Sequence, residues 1–395
     1  MTDRTGAGAE TMRLGLLRLT DAAPVALAAA RGIFAEEGAP VALSVEPSWA
    51  NVADKLAYGL LDAAVVPPPL ALAMELGLRP AAARLVVPMS LSLNGNSVVL
   101  AEALAAPILS GGIRPPALEA GRRLRRLVEG GLRPRIAVVH AFSTHDLLLR
   151  YWLAASGIDP ETAVELSVVP PPEMPAALAA GRIDGFCAGA PWGGVAAQMG
   201  VGRAVVLSSA IWRNHPEKCL AVRADWAERY APTLRAALRA LLRAGRLCDE
   251  PAGADALAAL LSGSDWVGVP SELVAASLAG GAGGEVDRSV FAAHAAAFPW
   301  RSHARWFATQ MARWRSLPAD AAERAERVYR PDLYAQAARE LGMPVPTADR
   351  KTEGGHDAPW SLAAAPTPLV MLPDTFCDET RFEILGSEAV AAPPS

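Results

Sequence analysis

Residues 14–69 read LGLLRLTDAAPVALAAARGIFAEEGAPVALSVEPSWANVADKLAYGLLDAAVVPPP. The aliphatic run 14–19 predicts a short strand that ends at Thr20-Asp21, residues suited to open a helix, and the Ala-rich segment after them stops at Gly32. Val41, Leu43 and Val45 alternate with smaller or polar residues, Ser48 and Asn51 open a helix through Leu56, and 61–66 reads as a buried strand before three prolines. The order is β-α-β-α-β. Such alternation predicts an α/β fold with a parallel sheet covered by helices on both faces and ligands at the carboxyl ends of the strands. Thr20-Asp21, Ser48-Trp49 and the prolines then share one rim.

Working outward, 97–100 is another strand, and a second α/β block follows: strand 135–139, helix 144–156, strand 166–169, helix 173–180, strand 183–188. Between the blocks lie Gly111-Gly112, Pro115-Pro116 and the cluster Arg122, Arg123, Arg125 and Arg126, which reads as a solvated helix face or a partner surface. After Trp212 the pattern is helical, with helices over 232–248 and 321–341, the latter broken near Arg330-Pro331. The stretch 347–368, rich in Pro, Gly, Ala and charge, reads as a linker to a short tail. The expected organisation is a first lobe from 12–99 and 209–345, a second lobe from 100–208, and a linker and tail over 346–395. Strands at 97–100 and 220–223 would cross between the lobes and enclose a hinged cleft, a shape suited to a small solute.

With 395 residues, 52% of them hydrophobic and 20% charged, the chain has the length and apolar content for two or three cored domains rather than a disordered segment. Lys and Arg number 37 against 41 Asp and Glu, a net charge of −4, so no global positive field favours a nucleic acid. Cys187, Cys219, Cys248 and Cys377 form no Cys-x-x-Cys pair and have no zinc-finger histidines beside them, so no structural metal and four free thiols are expected. There is no Gly-x-Ser-x-Gly, no phosphate-binding glycine loop, and only Cys219 has a nearby histidine, His215; Cys219 itself reads as a small core residue. No cofactor and no enzymatic chemistry are therefore expected. Asp3, Glu10 and Asp21 put acid where a signal peptide wants a basic region, and the run 21–31 is too short for a membrane span, so a cytoplasmic protein is expected, or a periplasmic one if the true start lies upstream.

Polar and aromatic residues gather at the predicted strand ends: Ser48-Trp49, Asn94-Gly95-Asn96, Ser143-Thr144-His145 and Asn214 to Lys218. Indole N–H, carboxamide, imidazole and ammonium together supply the donors that surround a small oxyanion, and helix starts at Ser48 and Thr144 would add backbone N–H groups. Each residue also has a plainer reading. Trp49 suits a core, His145 a helix-start histidine paired with Asp146, 94–96 a turn with positive φ, and Lys218 a surface lysine.

The runs LGLLRLTDAAP, PSWANVADKLAYG, LSLNGN, STHDLLLRYWLAASGIDP, VVPPPEMPAAL, DGFCAGAPW, IWRNHPEKCL and FPWRSHARWF resemble the nitrate- and bicarbonate-binding family of solute receptors, relatives of type 2 periplasmic binding proteins, over residues 14–343. That resemblance implies two lobes closing on an anion, with Trp49, Asn96, His145 and Lys218 at positions the family uses for the ligand, and Gly95 and Thr144, from the strand-end and helix-start clusters, complete the expected site. Asn96 stands where family members carry Gln, and Ala190 where relatives often carry Glu. It also implies that lysine at 218 selects nitrate or nitrite, whereas bicarbonate receptors place an acidic residue there with a metal ion. Replacing Lys218 by Glu is expected to abolish nitrate binding without unfolding the chain. The chain looks most like the cytoplasmic nitrate/nitrite sensor branch, which implies an RNA-binding antiterminator as partner. The alternative is an exported substrate-binding component that delivers nitrate to an ABC permease.

Overall fold

Met12, Leu14 and Leu16 are fully buried and anchor β1 (Met12–Leu16), an inner strand of the first sheet. Parallel partners β2 (Val41–Val45) and β3 (Ala63–Val66) flank it, as the opening stretch of sequence predicts. The computed structural model describes residues 10–79, 83–109, 111, 113–279 and 288–383; Gly112 and the end of the tail lie outside them. Next come β4 (Leu85–Leu93), β5 (Asn96–Ala101), β6 (Arg135–Val138), β7 (Glu165–Val168), β8 (Gly185–Gly189), β9 (Gly202–Leu207) and β10 (Pro216–Arg223). The first sheet has the order β2-β1-β3-β10-β4 and the second β7-β6-β8-β5-β9.

Neither sheet is wholly parallel, which corrects the sequence expectation. β10 runs antiparallel to β3 and β4, and β5 runs antiparallel to β8 and β9. A parallel neighbour needs a crossover connection, usually a helix, within one sheet. β5 and β10 arrive from the other lobe without one, so the passage between lobes sets their direction. The outgoing passage is only Asn94-Gly95, both at positive φ (60° and 96°), and the return holds Asn214 at 57°. The two passages lie side by side: the Asn94 N–H donates to the His215 carbonyl at 3.0 Å, and Asn94 Nδ2 to Asn214 Oδ1 at 3.0 Å.

Helices cover both sheets as the apolar spacing requires. Helix Ala231–Cys248 packs its buried Ala and Leu face on the first lobe, against helix Ala23–Ala30, and helix Thr144–Ala155 buries Leu147 to Leu149 and Trp152 in the second. The expected break near Arg330-Pro331 separates helices Ala321–Val328 and Pro331–Glu340. On the helix over 117–129, Arg122 and Arg123 pair with Glu119 and Arg125 pairs with Glu129, so much of the basic cluster is locally neutralised.

The segment read as a linker is packed instead. Short strands Trp360–Leu362 and Leu369–Met371 pair with each other, and Lys351 is buried between Glu353 and Asp374. Composition misled here because the charges that suggested solvent satisfy one another. The tail then returns to the interlobe passages: Asn214 Nδ2 donates to the Pro373 carbonyl, the Arg213 N–H to Thr375 and Trp212 Nε1 to Asp374, all at 2.7–2.8 Å. Among the described residues no helix is long and apolar enough to cross a membrane.

Candidate functional site

β10 begins irregularly. Its register against β4 shifts on both sides of Lys218, between Pro216 and Lys218 and again between Lys218 and Cys219. In a regular strand neighbouring side chains point to opposite faces, and a bulge breaks that alternation and re-aims a side chain. Here Glu217 and Lys218 meet each other, with Lys218 Nζ 2.5 Å from Glu217 Oε1.

Around Lys218 the structure brings together residues from both lobes. From the first lobe come Asp21, in the turn after β1, and Trp49, at the start of helix Trp49–Ala57 where Ser48 accepts the Asn51 N–H at 3.2 Å. Lys218 Nζ lies 2.8 Å from Asp21 Oδ2 and 5.5 Å from the centre of the Trp49 ring. From the second lobe come Thr144 and His145 at the start of helix Thr144–Ala155 and also Asn96, because all of β5 pairs in the second sheet and the first passage between lobes therefore falls at Asn94-Gly95, not at the expected 99/100 boundary. Asn96 Nδ2 donates to Glu217 Oε2 at 2.6 Å, and the Thr144 hydroxyl donates to the Glu217 carbonyl at 3.3 Å. His145 Nε2 is 3.4 Å from Glu217 Oε1, without hydrogen-bond alignment. Gly95 contributes backbone: its carbonyl accepts the Ala190 N–H at 2.7 Å, while the Ala190 carbonyl accepts from Thr20 N and Oγ1.

The cluster is dry. Lys218, Glu217 and His145 are each 0% exposed, and Trp49 and Asn96 are 1% exposed. Burial holds the His145 imidazole at about 3, with the Lys218 charge opposing its protonation and Glu217 favouring it, so the ring is neutral at pH 7. The Glu217 carboxyl is pulled down to about 2 by the Lys218 ammonium and the neighbouring histidines, against burial, which would raise it. Burial pushes the Asp21 carboxyl up, with Lys218 pulling the other way. The Lys218 ammonium stays charged because its two carboxylates outweigh its desolvation.

Several polar atoms in this cluster have no hydrogen-bond partner among the described residues: Trp49 Nε1, both nitrogens of His145, and Asn96 Oδ1. Buried polar atoms are normally paired, so a set of unpaired ones gathered in one dry cluster marks a place for a ligand. They offer two N–H donors and two acceptors from the two lobes, beside an ammonium. Among the described residues no group of three or more His, Cys, Asp or Glu side chains is arranged to hold a metal ion. A cavity of about 330 Å³ opens between the lobes nearby, lined by Leu17, Arg18 and Leu19 and by Pro170 to Glu173; none of the six expected residues lines it.

Two sequence readings change. Asp146 pairs with Arg150 and Arg315 rather than with His145. Lys218 is no surface lysine, and it is already held by two carboxylates. Asp21 and Glu217 were missed. Both lie inside quoted motifs, but sequence gives no reason to turn Glu217 inward beside Lys218, since that depends on the bulge.

A ligand place of this kind, at the carboxyl ends of the parallel strands and the starts of the antiparallel β5 and β10 between two lobes joined by paired passages, defines a two-lobed solute-binding protein. Residues 5–262 match the NMT1-like family, and the chain belongs to it. It is 33% identical over 358 residues to the nitrate/nitrite binding protein NrtA of Synechococcus elongatus, covering 86% of this chain and 80% of that protein. Against the bicarbonate transport ATP-binding protein CmpC of the same organism it is 36% identical over 344 residues, 86% of this chain; it spans about half, 51%, of CmpC's length. The crystal structure of the periplasmic nitrate-binding protein NrtA from Synechocystis superposes with a TM-score of 0.82 at 26% identity, covering 95% of this chain and 96% of that one. The two-lobed periplasmic-binding-protein-like fold is thereby shown.

Proposed function

We propose that the protein binds nitrate or nitrite between its lobes and converts occupancy into a contact with another protein, without transforming the ion. One observation carries this reading: Trp49 from one lobe and His145 from the other carry unpaired buried N–H groups around the Lys218–Glu217 pair, with Lys218 Nζ 5.5 Å from the Trp49 ring centre and His145 Nε2 3.4 Å from Glu217 Oε1. An oxyanion that accepts from both lobes favours the closed arrangement by its differential affinity for it. The names of the similar proteins, which include a nitrate/nitrite binding protein and a bicarbonate transport ATP-binding protein, support a small oxyanion, with nitrate and nitrite among them.

Two outputs fit. Delivery to an ABC permease, as the substrate-binding component of an importer, agrees best with the names of the relatives. A cytoplasmic sensor that releases an antiterminator on binding the anion rests on the sequence resemblance. Calorimetric titration with nitrate, nitrite and bicarbonate tests the ligand, and capture of partners with and without the best anion separates the outputs. Absence of binding by all three anions removes the reading.

A further inference from the structure

We propose that Asp21 is a specificity-determining residue of this site: an anion enters it together with one proton, which the Asp21 carboxyl carries. This rests on the anion-binding reading above and adds a condition to it.

Within hydrogen-bond reach of one buried ammonium stand two carboxylates, Asp21 at 2.8 Å and Glu217 at 2.5 Å. With both ionised the trio carries one net negative charge before any ligand arrives, and Asp21 is only 6% exposed. A monovalent anion would add a second negative charge to a dry enclosure, where like charges repel strongly and solvent screens little. Neutralising one carboxylate as the anion enters removes that conflict.

Geometry says which one. Glu217 is held by Lys218 on one oxygen and by Asn96 Nδ2, 2.6 Å away, on the other, and two histidines face it. Both contacts favour its ionised form. Asp21 has Lys218 as its one cationic partner among the described residues, faces the like charge of Glu217, and lies against the Gly189 backbone, where an added Cβ would sit 3.6 Å from Oδ2. The other titratable groups around the trio do not take the proton. His145 is desolvated and next to Lys218; His215 is bonded to Ser208 Oγ at 2.7 Å and to the Pro216 carbonyl at 3.0 Å. Cys187 and Cys219 are buried thiols already in their neutral form. Once protonated, Asp21 stops competing for the Lys218 ammonium, and its O–H becomes one more donor to the anion.

Nitrate titration of the full chain by calorimetry, in two buffers of different ionisation enthalpy, counts the protons taken up. The wild type is expected to take up about one proton per anion, with affinity falling roughly tenfold per pH unit on the alkaline side. Asp21→Asn, isosteric and neutral, is expected to bind nitrate without proton uptake, with affinity independent of pH and tighter than the wild type at about pH 8. Proton-independent binding by the wild type overturns the proposal and leaves the anion site standing; that measurement needs no variant to fold. Absence of binding by nitrate, nitrite and bicarbonate in both proteins at every pH overturns the anion site and this inference with it.

Discussion

At the scale of single residues, Lys218 shows how a partner set changes the meaning of a side chain. Read in sequence, replacing it by Glu would reverse the sign at an anion site and leave the fold intact. In the structure the same change puts three carboxylates into one enclosure with 0% exposure at residue 218. Breaking a buried ion pair costs about 3–5 kcal/mol, so Lys218→Glu is expected to lose a large part of the folded state's stability, read as a lowered urea midpoint. A cleaner probe of the ligand is Trp49→Phe. It keeps the buried ring under the Lys218 ammonium but removes the unpaired Nε1–H. A hydrogen bond to a charged group contributes about 1.5–3 kcal/mol, so nitrate affinity is expected to fall by roughly 10- to 100-fold while the denaturation midpoint stays near the wild type. Calorimetry and urea denaturation on the same preparation check both halves. The identities of Trp49, Asn96, Thr144, His145 and Lys218 as neighbours were legible in the sequence because each sits at a strand end or helix start. Glu217 was not, because a carboxylate beside a lysine in a strand meets it in space only when a bulge allows, and Asp21, though placed on the rim, pairs with Lys218 only through the packing of β1 and β10 in one sheet.

At the scale of elements, the repeating strand-helix units were legible wherever one apolar period continued for several residues. The direction of β5 and β10 was not, since it follows from passages between lobes and not from local pattern. The helix that presents His145 begins at Thr144, as the sequence predicts, and Ser143 caps it: Ser143 Oγ accepts the Asp146 N–H at 3.1 Å and donates to the His140 carbonyl at 2.7 Å. Ser143→Ala is expected to cost about 1 kcal/mol, as loss of a helix cap does. Because Thr144 and His145 are the next two residues, the same change should weaken anion binding by more than its effect on stability alone suggests. A Ser143→Ala variant whose loss of anion affinity is no larger than its loss of folding stability would contradict this. The passage at Asn94-Gly95 makes a similar demand on backbone. Gly95 has φ of 96°, and a Cβ there would sit 2.9 Å from Ser289 Oγ. Both strain and close approach therefore oppose any side chain at 95.

At the scale of the whole molecule, burial of neutral imidazoles links stability to pH. Burial lowers His145 to about 3 and His140 to about 4, and the charge of Arg79 reinforces the effect at His140. Each unfolded imidazole takes up a proton near pH 6.5 that the native site refuses, so stability present above that pH is lost as the pH falls toward the folded values. Each contributes about 1.4 kcal/mol per pH unit in that window. Glu217, lowered to about 2, adds a loss of the same sign at still lower pH, while the raised Asp21 opposes it by stabilising the acid form. Urea midpoints that decline from pH 6.5 to about pH 4 are expected, with a shallower decline in His140→Asn.

The tail makes the last demand on the whole molecule, and it is the part that composition described least well. Phe376 stacks on Trp306 and lies 4.8 Å from the Trp212 ring centre and 5.4 Å from that of Tyr151, so one side chain joins the return passage to the second lobe. Tyr151 in turn donates its hydroxyl to Asp378 at 2.9 Å. Phe376→Ala is expected to cost about 3–5 kcal/mol as a buried aromatic truncation. If the tail only fills a groove, hydrogen exchange should rise uniformly with that loss of global stability. If it fastens the interlobe passages, the Arg213 and Cys377 amides, which donate to Thr375 and Ile211 at 2.8 Å, should exchange faster than the strands of either sheet under conditions where those strands remain protected. The second pattern is expected, because those amides are held by the tail itself and open with it, whereas the sheet ladders open only when a lobe unfolds.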